Sequence, residues 1–454
     1  MKSNPKMRTV FLCRECGAAH PKWAGQCNDC GAWNTLEQAA APAVRARGYA
    51  GAGGERTALE RVDIAKAPRL KTAIAELDRV LGGGIVPGSA ILIGGEPGIG
   101  KSTLLLQVLA GIAGAHPALY VSGEESLAQL ALRARRLNLA AGGIECMTET
   151  RLEAILAAAQ SAGPTVLVID SIQTIAGDDS PSAPGSVSQV RDSALALTRY
   201  AKQTGCVLFL IGHVTKEGQL AGPRVLEHMV DTVLYFESDS GSRFRLLRAV
   251  KNRFGAVNEL GVFAMSDQGL REVPNPSAIF LSERDAPVPG SAVLVSREGT
   301  RPLLVEVQAL VDENRHGTPR RVALGIETNR LLLLLAVMHR HGGLAIHDQD
   351  VFVNIVGGLR VQETAADLAL ALAVWSSLRG RPLPAGMASF GEIGLAGELR
   401  PVPDGEARIR AAAGQGLSRI VLPKANTRGL KPPPGVTLLP AARLSEALAL
   451  AAEQ

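Results

Sequence analysis

The stretch Gly95-Glu96-Pro97-Gly98-Ile99-Gly100-Lys101-Ser102, read as GEPGIGKS, decides the fold of this chain. The apolar run ILIGG (91–95) leads into it, and TLLLQVLAGIAG (103–114) follows with helical character. A Gly-rich turn between a strand and a helix lets backbone N–H groups converge on a polyphosphate. In that setting Lys101 reaches the β- and γ-phosphates, the Ser102 hydroxyl holds Mg²⁺, and Thr103 follows at the same helix start. A turn that bound nothing would not need strand, spacing, Lys-Ser pair and helix together. ATP or ADP with Mg²⁺ is therefore the expected occupant.

Composition sets the frame around this loop. A length of 454 residues leaves room for roughly three domains. Hydrophobic residues make up 46% with only 4% aromatics and 49 glycines, which fits an α/β chain built on Ala, Leu and Val. A net charge of +5 is too weak to argue a nucleic-acid partner, so any basic surface is local. The N-terminal MKSNPKMRTVFLCRECG has no apolar signal core, and the longest apolar run, residues 331–338, is too short to span a bilayer. A cytoplasmic protein without membrane contact is expected.

Four domains or linkers follow from patterning. Residues 1–36 carry a Cys-rich module, and 37–60 read as an Ala/Gly/Pro-rich flexible linker. Residues 61–273 alternate apolar strands (AILIGG, ALYVSG, TVLVID, CVLFLIG, TVLYFE) with amphipathic helices, which predicts a parallel sheet. RFRLLRAVKNR and ELGVFAM, joined by FGAVN, predict an antiparallel hairpin. Residues 274–454 form a further α+β segment, with strands around 292–327 and helices through LLLLLAVMHRHG and TAADLALALAVWSSL.

Cys13, Cys16, Cys27 and Cys30 give CxxC–x10–CxxC, with Gly17 and Gly31 after the pairs. Four thiolates closing a tetrahedron describe a structural Zn²⁺ site with no open position for chemistry. Metal binding supplies on the order of 10 kcal/mol, which so small a core cannot. Trp23 and Trp33 are expected to pack over the site rather than to stack on bases. Cys206, in an apolar strand, reads as a buried structural thiol.

Asp170 closes an apolar strand where a second acidic residue holds Mg²⁺ through water. YVSGEES sets Glu124 and Glu125 past another strand end, at the mouth where such sheets bind ligands. Glu124 is the expected base for the attacking water, against the alternative that both are helix N-terminal charges. His213 ends a further strand and is placed to touch the γ-phosphate. The loops after Asp170 and His213 are long and rich in Gly, Ser and Pro, as functional loops are. Lys216, Arg224 and Arg191 in or beside them are candidate DNA-phosphate contacts.

TAIAELDRVLGGGIVPGSAILIGGEPGIGKSTLLLQ, YVSGEES, VIDSIQT and VKNRFG together resemble the bacterial RadA (Sms) DNA-repair family, and CRECG…KWAGQCNDCGAWNT resembles its zinc module. The resemblance implies a RecA-like core in a hexameric ring, with single-stranded and branched DNA and the RecA recombinase as partners. In such a ring Lys251 and Arg253 would point at the neighbouring subunit's nucleotide and stabilise transition-state charge in trans.

FGEIGLAGELRPVPDGEARIRAAAGQG and VQETAADLALALA resemble a Lon-type protease domain. That chemistry needs a Ser activated by a Lys. The matching positions hold Ala365 and Arg408, and a guanidinium cannot serve as base. The alternatives are a Lon-like ATP-dependent protease, which these two positions disfavour, and a KaiC-type nucleotide switch that never touches DNA. Arg315, Arg320, Arg321, Arg330 and Arg360 are candidates for a basic face on this domain.

Overall fold

The structure is a computed structural model that describes residues 9–15, 19–20, 22–28, 30–40, 69–140, 142–178, 183, 185–212, 225–238, 243–281, 286–314 and 317–453. Cys16, His213, Lys216, Arg224 and Arg315 lie outside the described residues. The chain divides into two compact units, Met1–Val273 and Pro274–Gln454.

In the first unit, β1 (Thr9–Cys13) pairs antiparallel with β2 (Ala19–His20) and β3 (Leu36–Ala40) to form the cysteine module. Next come α1 (Ala75–Val80), β4 (Ala90–Gly94), α2 (Lys101–Ile112), β5 (Ala118–Ser122), α3 (Leu127–Arg136), β6 (Ile144–Thr148), α4 (Leu152–Ala162) and β7 (Val166–Asp170). Then follow α5 (Val187–Thr204), β8 (Val207–Ile211), α6 (Val225–Met229), β9 (Thr232–Glu237), β10 (Phe244–Asn252), β11 (Leu260–Ser266) and β12 (Gly269–Glu272).

These strands make one nine-stranded sheet in the order β12-β11-β10-β9-β4-β8-β7-β5-β6. The pairings from β9 through β6 are all parallel, while β9 to β12 pair antiparallel. Both faces of the parallel part are covered, which is why its strands read as continuous apolar runs. Ile91 and Ile93 of β4 join one core, with Leu104, Leu105 and Val108 of α2; Ala90 and Leu92 join the other, with Ala194 and Leu197 of α5. The hairpin expected from 243–265 is β10–β11. β6 and β12, unanticipated because their faces are half exposed or very short, extend the two edges.

The second unit holds α7 (Ser277–Phe280), β13 (Ser291–Glu298), β14 (Arg301–Glu313), β15 (Arg321–Leu324), α8 (Thr328–Gly342), β16 (Gln349–Ile355) and α9 (Asp367–Arg379). It ends with β17 (Met387–Ser389), β18 (Glu392–Ile393), β19 (Leu399–Arg400), α10 (Gly405–Gly414), β20 (Arg419–Pro423), β21 (Thr437–Ala441) and α11 (Leu444–Ala452). Seven of these strands form a mixed sheet, β15-β16-β14-β13-β17-β20-β21, and β18–β19 is a separate hairpin. Among the described residues no helix is long and apolar enough to cross a membrane.

Candidate active site

The phosphate loop joins β4 to α2. Gly95 has φ +153°, and a Cβ there would lie 2.9 Å from the Phe236 Cβ; Gly100, at φ +118°, would bring one to 2.8 Å from the Met265 Cε. Only glycine fits such close approaches in that backbone region. Ile99 is buried and pins the loop, whereas Glu96, Pro97 and Gly98 face outward. The Lys101 ammonium folds back into the loop, donating to the carbonyls of Gly95 (2.7 Å) and Glu96 (2.9 Å). Burial lowers its pKa, opposed by the nearby charges of Asp170 and Glu124. Those carbonyl contacts are ones that phosphate oxygens would replace.

Parallel register brings the acidic groups to the same sheet edge. Ser122 of β5 pairs with Asp170 of β7, and the Gly123 N–H donates to the Asp170 carbonyl at 2.7 Å. The buried Asp170 carboxylate accepts the Tyr120 hydroxyl proton. The next residue, Ser171, is fully buried, follows a cis peptide bond, and donates from Oγ to Glu124 Oε1 at 2.5 Å. Glu125 instead pairs with Arg133, and its N–H donates to Ser122 Oγ at 2.9 Å. The two glutamates therefore differ: Glu125 is tied to helix α3, while Glu124 stands exposed beside Asp170 and Lys101. Ser102 near the start of α2 and Asp170 at the end of β7 offer a hydroxyl and a carboxylate, donor types that could hold Mg²⁺.

Lys251 and Arg253 lie where β10 ends. A register shift between Ala249 and Lys251 marks a bulge, which re-aims the Lys251 side chain. Its ammonium donates to the carbonyls of Glu227 (2.7 Å) and Val230 (2.8 Å) at the end of α6. Burial and the Arg253 charge lower its pKa. Arg253 reaches Asp231 at 3.7 Å and remains 61% exposed. The buried Asp231 also takes the Lys202 ammonium and the Ala90 N–H at 3.0 Å. In this single chain both cations are thus engaged by their own subunit. Arg191, on α5, pairs with Asp192 at 3.2 Å.

In the cysteine module the Sγ atoms of Cys13, Cys27 and Cys30 lie within 4.8 Å of one another, and Cys13 and Cys30 are 3.6 Å apart. A tetrahedral zinc thiolate with Zn–S of about 2.3 Å has edges of roughly 3.8 Å, so the spacing fits Zn²⁺. Gly31, at φ +74°, turns its N–H onto the Cys27 carbonyl at 2.9 Å. Thr35 Oγ1 lies 3.1 Å from the Cys13 sulfur and His20 Nε2 lies 3.4 Å from the Cys27 sulfur. The expectation that the indoles cover the site is corrected: Trp23 is 58% and Trp33 69% exposed. Phe11, Ala24 and Leu36 pack against the cysteines instead, because β3 brings Leu36 beside Cys13. Elsewhere, Cys206 is buried as expected, and burial pushes its thiol up to about 12.

In the second unit Ala365 and Arg408 are both fully buried. Arg408 forks onto Glu363, Nη1 to Oε1 at 2.9 Å and Nη2 to Oε2 at 2.6 Å, and donates to the carbonyls of Val295 (2.6 Å) and Pro403 (3.1 Å). No nucleophile–base pair occupies these positions. Of the arginines considered for a basic face, three make contacts within their own unit. Arg330 pairs with the buried Asp367, Arg320 with Asp350 (2.7 Å), and Arg321 donates to the Ile346 carbonyl (2.9 Å). Arg360 remains exposed.

Sequence reasoning did not single out Tyr120, Ser171, Asp231, His20 or Glu363. A phenol inside the aliphatic strand ALYVS, and a serine directly after Asp170, were the available signals for the first two.

Residues 55–219 match a family described as an AAA domain, 11–38 a rubredoxin metal binding domain, and 332–426 subunit ChlI of Mg-chelatase. ATP with Mg²⁺ and structural Zn²⁺ are accordingly its cofactors. The chain is 58% identical to the DNA repair protein RadA of Pseudomonas aeruginosa, covering 98% of each chain. It is 56% identical to that of Escherichia coli and 47% identical to that of Bacillus subtilis, again over 98% of each. Identity of this degree to such relatives over nearly the whole length places this chain in the RadA family of DNA repair proteins.

Proposed function

We propose that the chain is a DNA-dependent ATPase of recombinational repair, a homo-hexameric ring on single-stranded DNA that promotes branch migration of RecA-made joint molecules. The observation that carries this reading is the convergence of Lys101, Ser102, Asp170 and Glu124 at one edge of the parallel sheet. On nucleotide binding, Lys101 leaves the Gly95 and Glu96 carbonyls for the phosphates. Glu124, oriented by Ser171, takes the proton of the attacking water. Mg²⁺, held by Ser102 and Asp170, offsets phosphate charge when bound. Lys251 and Arg253 supply charge to a neighbouring subunit's site, and the loops that follow β7 and β8 track the DNA backbone through Arg191, Lys216 and Arg224, with His213 sensing the γ-phosphate. The buried Arg408–Glu363 fork speaks against peptidase chemistry in the second unit.

The test is ATP turnover with no DNA, with single-stranded DNA and with forked DNA, using Lys101→Ala as the control. Stimulation by DNA, abolished in the control, is expected. Turnover indifferent to DNA would favour a nucleotide switch.

A further inference from the structure

Tyr120 sits at the centre of β5, fully buried among aliphatic side chains beneath α2. Packing alone asks only for an aromatic ring there, and a buried hydroxyl costs free energy unless it is hydrogen-bonded. Tyr120 lies opposite Val168 on β7, so Asp170, two residues on, is its diagonal neighbour on the same face. The phenol donates its single proton to Asp170 Oδ2. Its oxygen remains an acceptor, open to the nearby Ser102 hydroxyl at the start of α2. A Ser102 hydroxyl turned to that acceptor would make the donors run one way, from Ser102 to Tyr120 to Asp170. A serine whose proton points inward presents its lone pairs outward, as a metal ligand must. An aspartate with Oδ2 engaged keeps Oδ1 for metal-bound water.

We propose that Tyr120 is a positioning residue of the magnesium site, its hydroxyl setting the directions in which Ser102 and Asp170 meet the ion. The inference rests on the nucleotide site described under the proposed function and adds a residue to it. Groups that orient metal ligands typically cost about 10- to 100-fold in metal affinity when removed.

The experiment follows a fluorescent ADP analogue bound to the full chain as Mg²⁺ is added, for the parent, Tyr120→Phe and Ser102→Ala. Tyr120→Phe should need about 10-fold more Mg²⁺ for the half-maximal response while binding metal-free ADP as the parent does. A parental Mg²⁺ response in Tyr120→Phe, with Ser102→Ala impaired, overturns the role of Tyr120 alone. A parental response in Ser102→Ala overturns the magnesium site itself. Each titration runs well below the variant's own melting temperature. An equal loss of metal-free and metal-dependent binding in Tyr120→Phe would show a packing role only and would also overturn the inference.

Discussion

Ser171 donates its hydroxyl proton to Glu124 across 2.5 Å, so the residue that follows Asp170 also orients the carboxylate at the mouth of the site. If Glu124 is the base, Glu124→Gln should lower the rate of ATP turnover by about 10²-fold or more while nucleotide binding persists. Ser171→Ala should lower it less, within about tenfold, because it removes orientation and leaves the base. Single-turnover kinetics beside nucleotide-binding titrations separates the two effects.

Lys251 and Arg253 should both lower turnover when changed to Ala, with nucleotide binding largely intact. Their stability costs should differ. Lys251→Ala strips the Glu227 and Val230 carbonyls of a donor, worth about 1–3 kcal/mol, whereas Arg253 is mostly exposed and its loss should barely move the melting temperature. Mixing either variant with a Glu124→Ala chain should restore some turnover if these cations act in trans. Absence of any restoration would place their action within one subunit.

Chelation of zinc should unfold the cysteine module and leave the nine-stranded core folded. The module's described apolar contacts are few, Phe11, Ala24 and Leu36 around the cysteines, so the metal supplies most of its stability. Zinc release measured beside core melting checks this, and a core transition that shifted with the metal would contradict it.

Arg408→Ala should destabilise the second unit by about 3–5 kcal/mol, because it empties a fully buried site and leaves the half-buried Glu363 carboxylate with only the Ser296 hydroxyl and the Arg297 N–H. Ala365→Ser should produce no cleavage of labelled casein, since the position matching the base holds Arg408, a guanidinium that cannot accept a proton. Measurable cleavage in that variant would revive the protease reading.

Asp350 titrates well below its ordinary 3.8, at about 2, held down by the Arg320 N–H and then by the Asn314 and Arg320 side chains. Its folded value lies below its unfolded one, so the stabilisation is present above about pH 4 and is lost as pH falls towards 2. Acid melting of the parent against Asp350→Asn should show this part of the pH dependence vanish in the variant.

Much of the site was legible because its signals are local. The loop from Gly95 to Ser102 carries its glycines, lysine and serine within eight consecutive positions, and Asp170 ends a run of apolar residues. The hairpin of β10 and β11 was legible from two alternating runs around one turn. β6 was not, since an edge strand with mostly exposed side chains carries no strong pattern. The exposed indoles of Trp23 and Trp33 were misjudged because aromatic residues near cysteines suggest cover, whereas the pairing of β1 with β3 had already supplied Leu36 for that purpose.

The sequence by itself determined the chemistry on offer: a phosphate loop, an acidic strand end, paired cysteines, and a protease-like domain lacking both nucleophile and usable base. These depend on residue identity at short spacing, which the chain states directly. Only the tertiary structure decided who holds whom. Tyr120 meets Asp170 fifty positions away, Lys251 caps carbonyls at 227 and 230, and Arg408 locks onto Glu363. Those partnerships follow from strand register, a bulge and the packing of helices on sheets, and such long-range contacts leave no periodic trace in the chain.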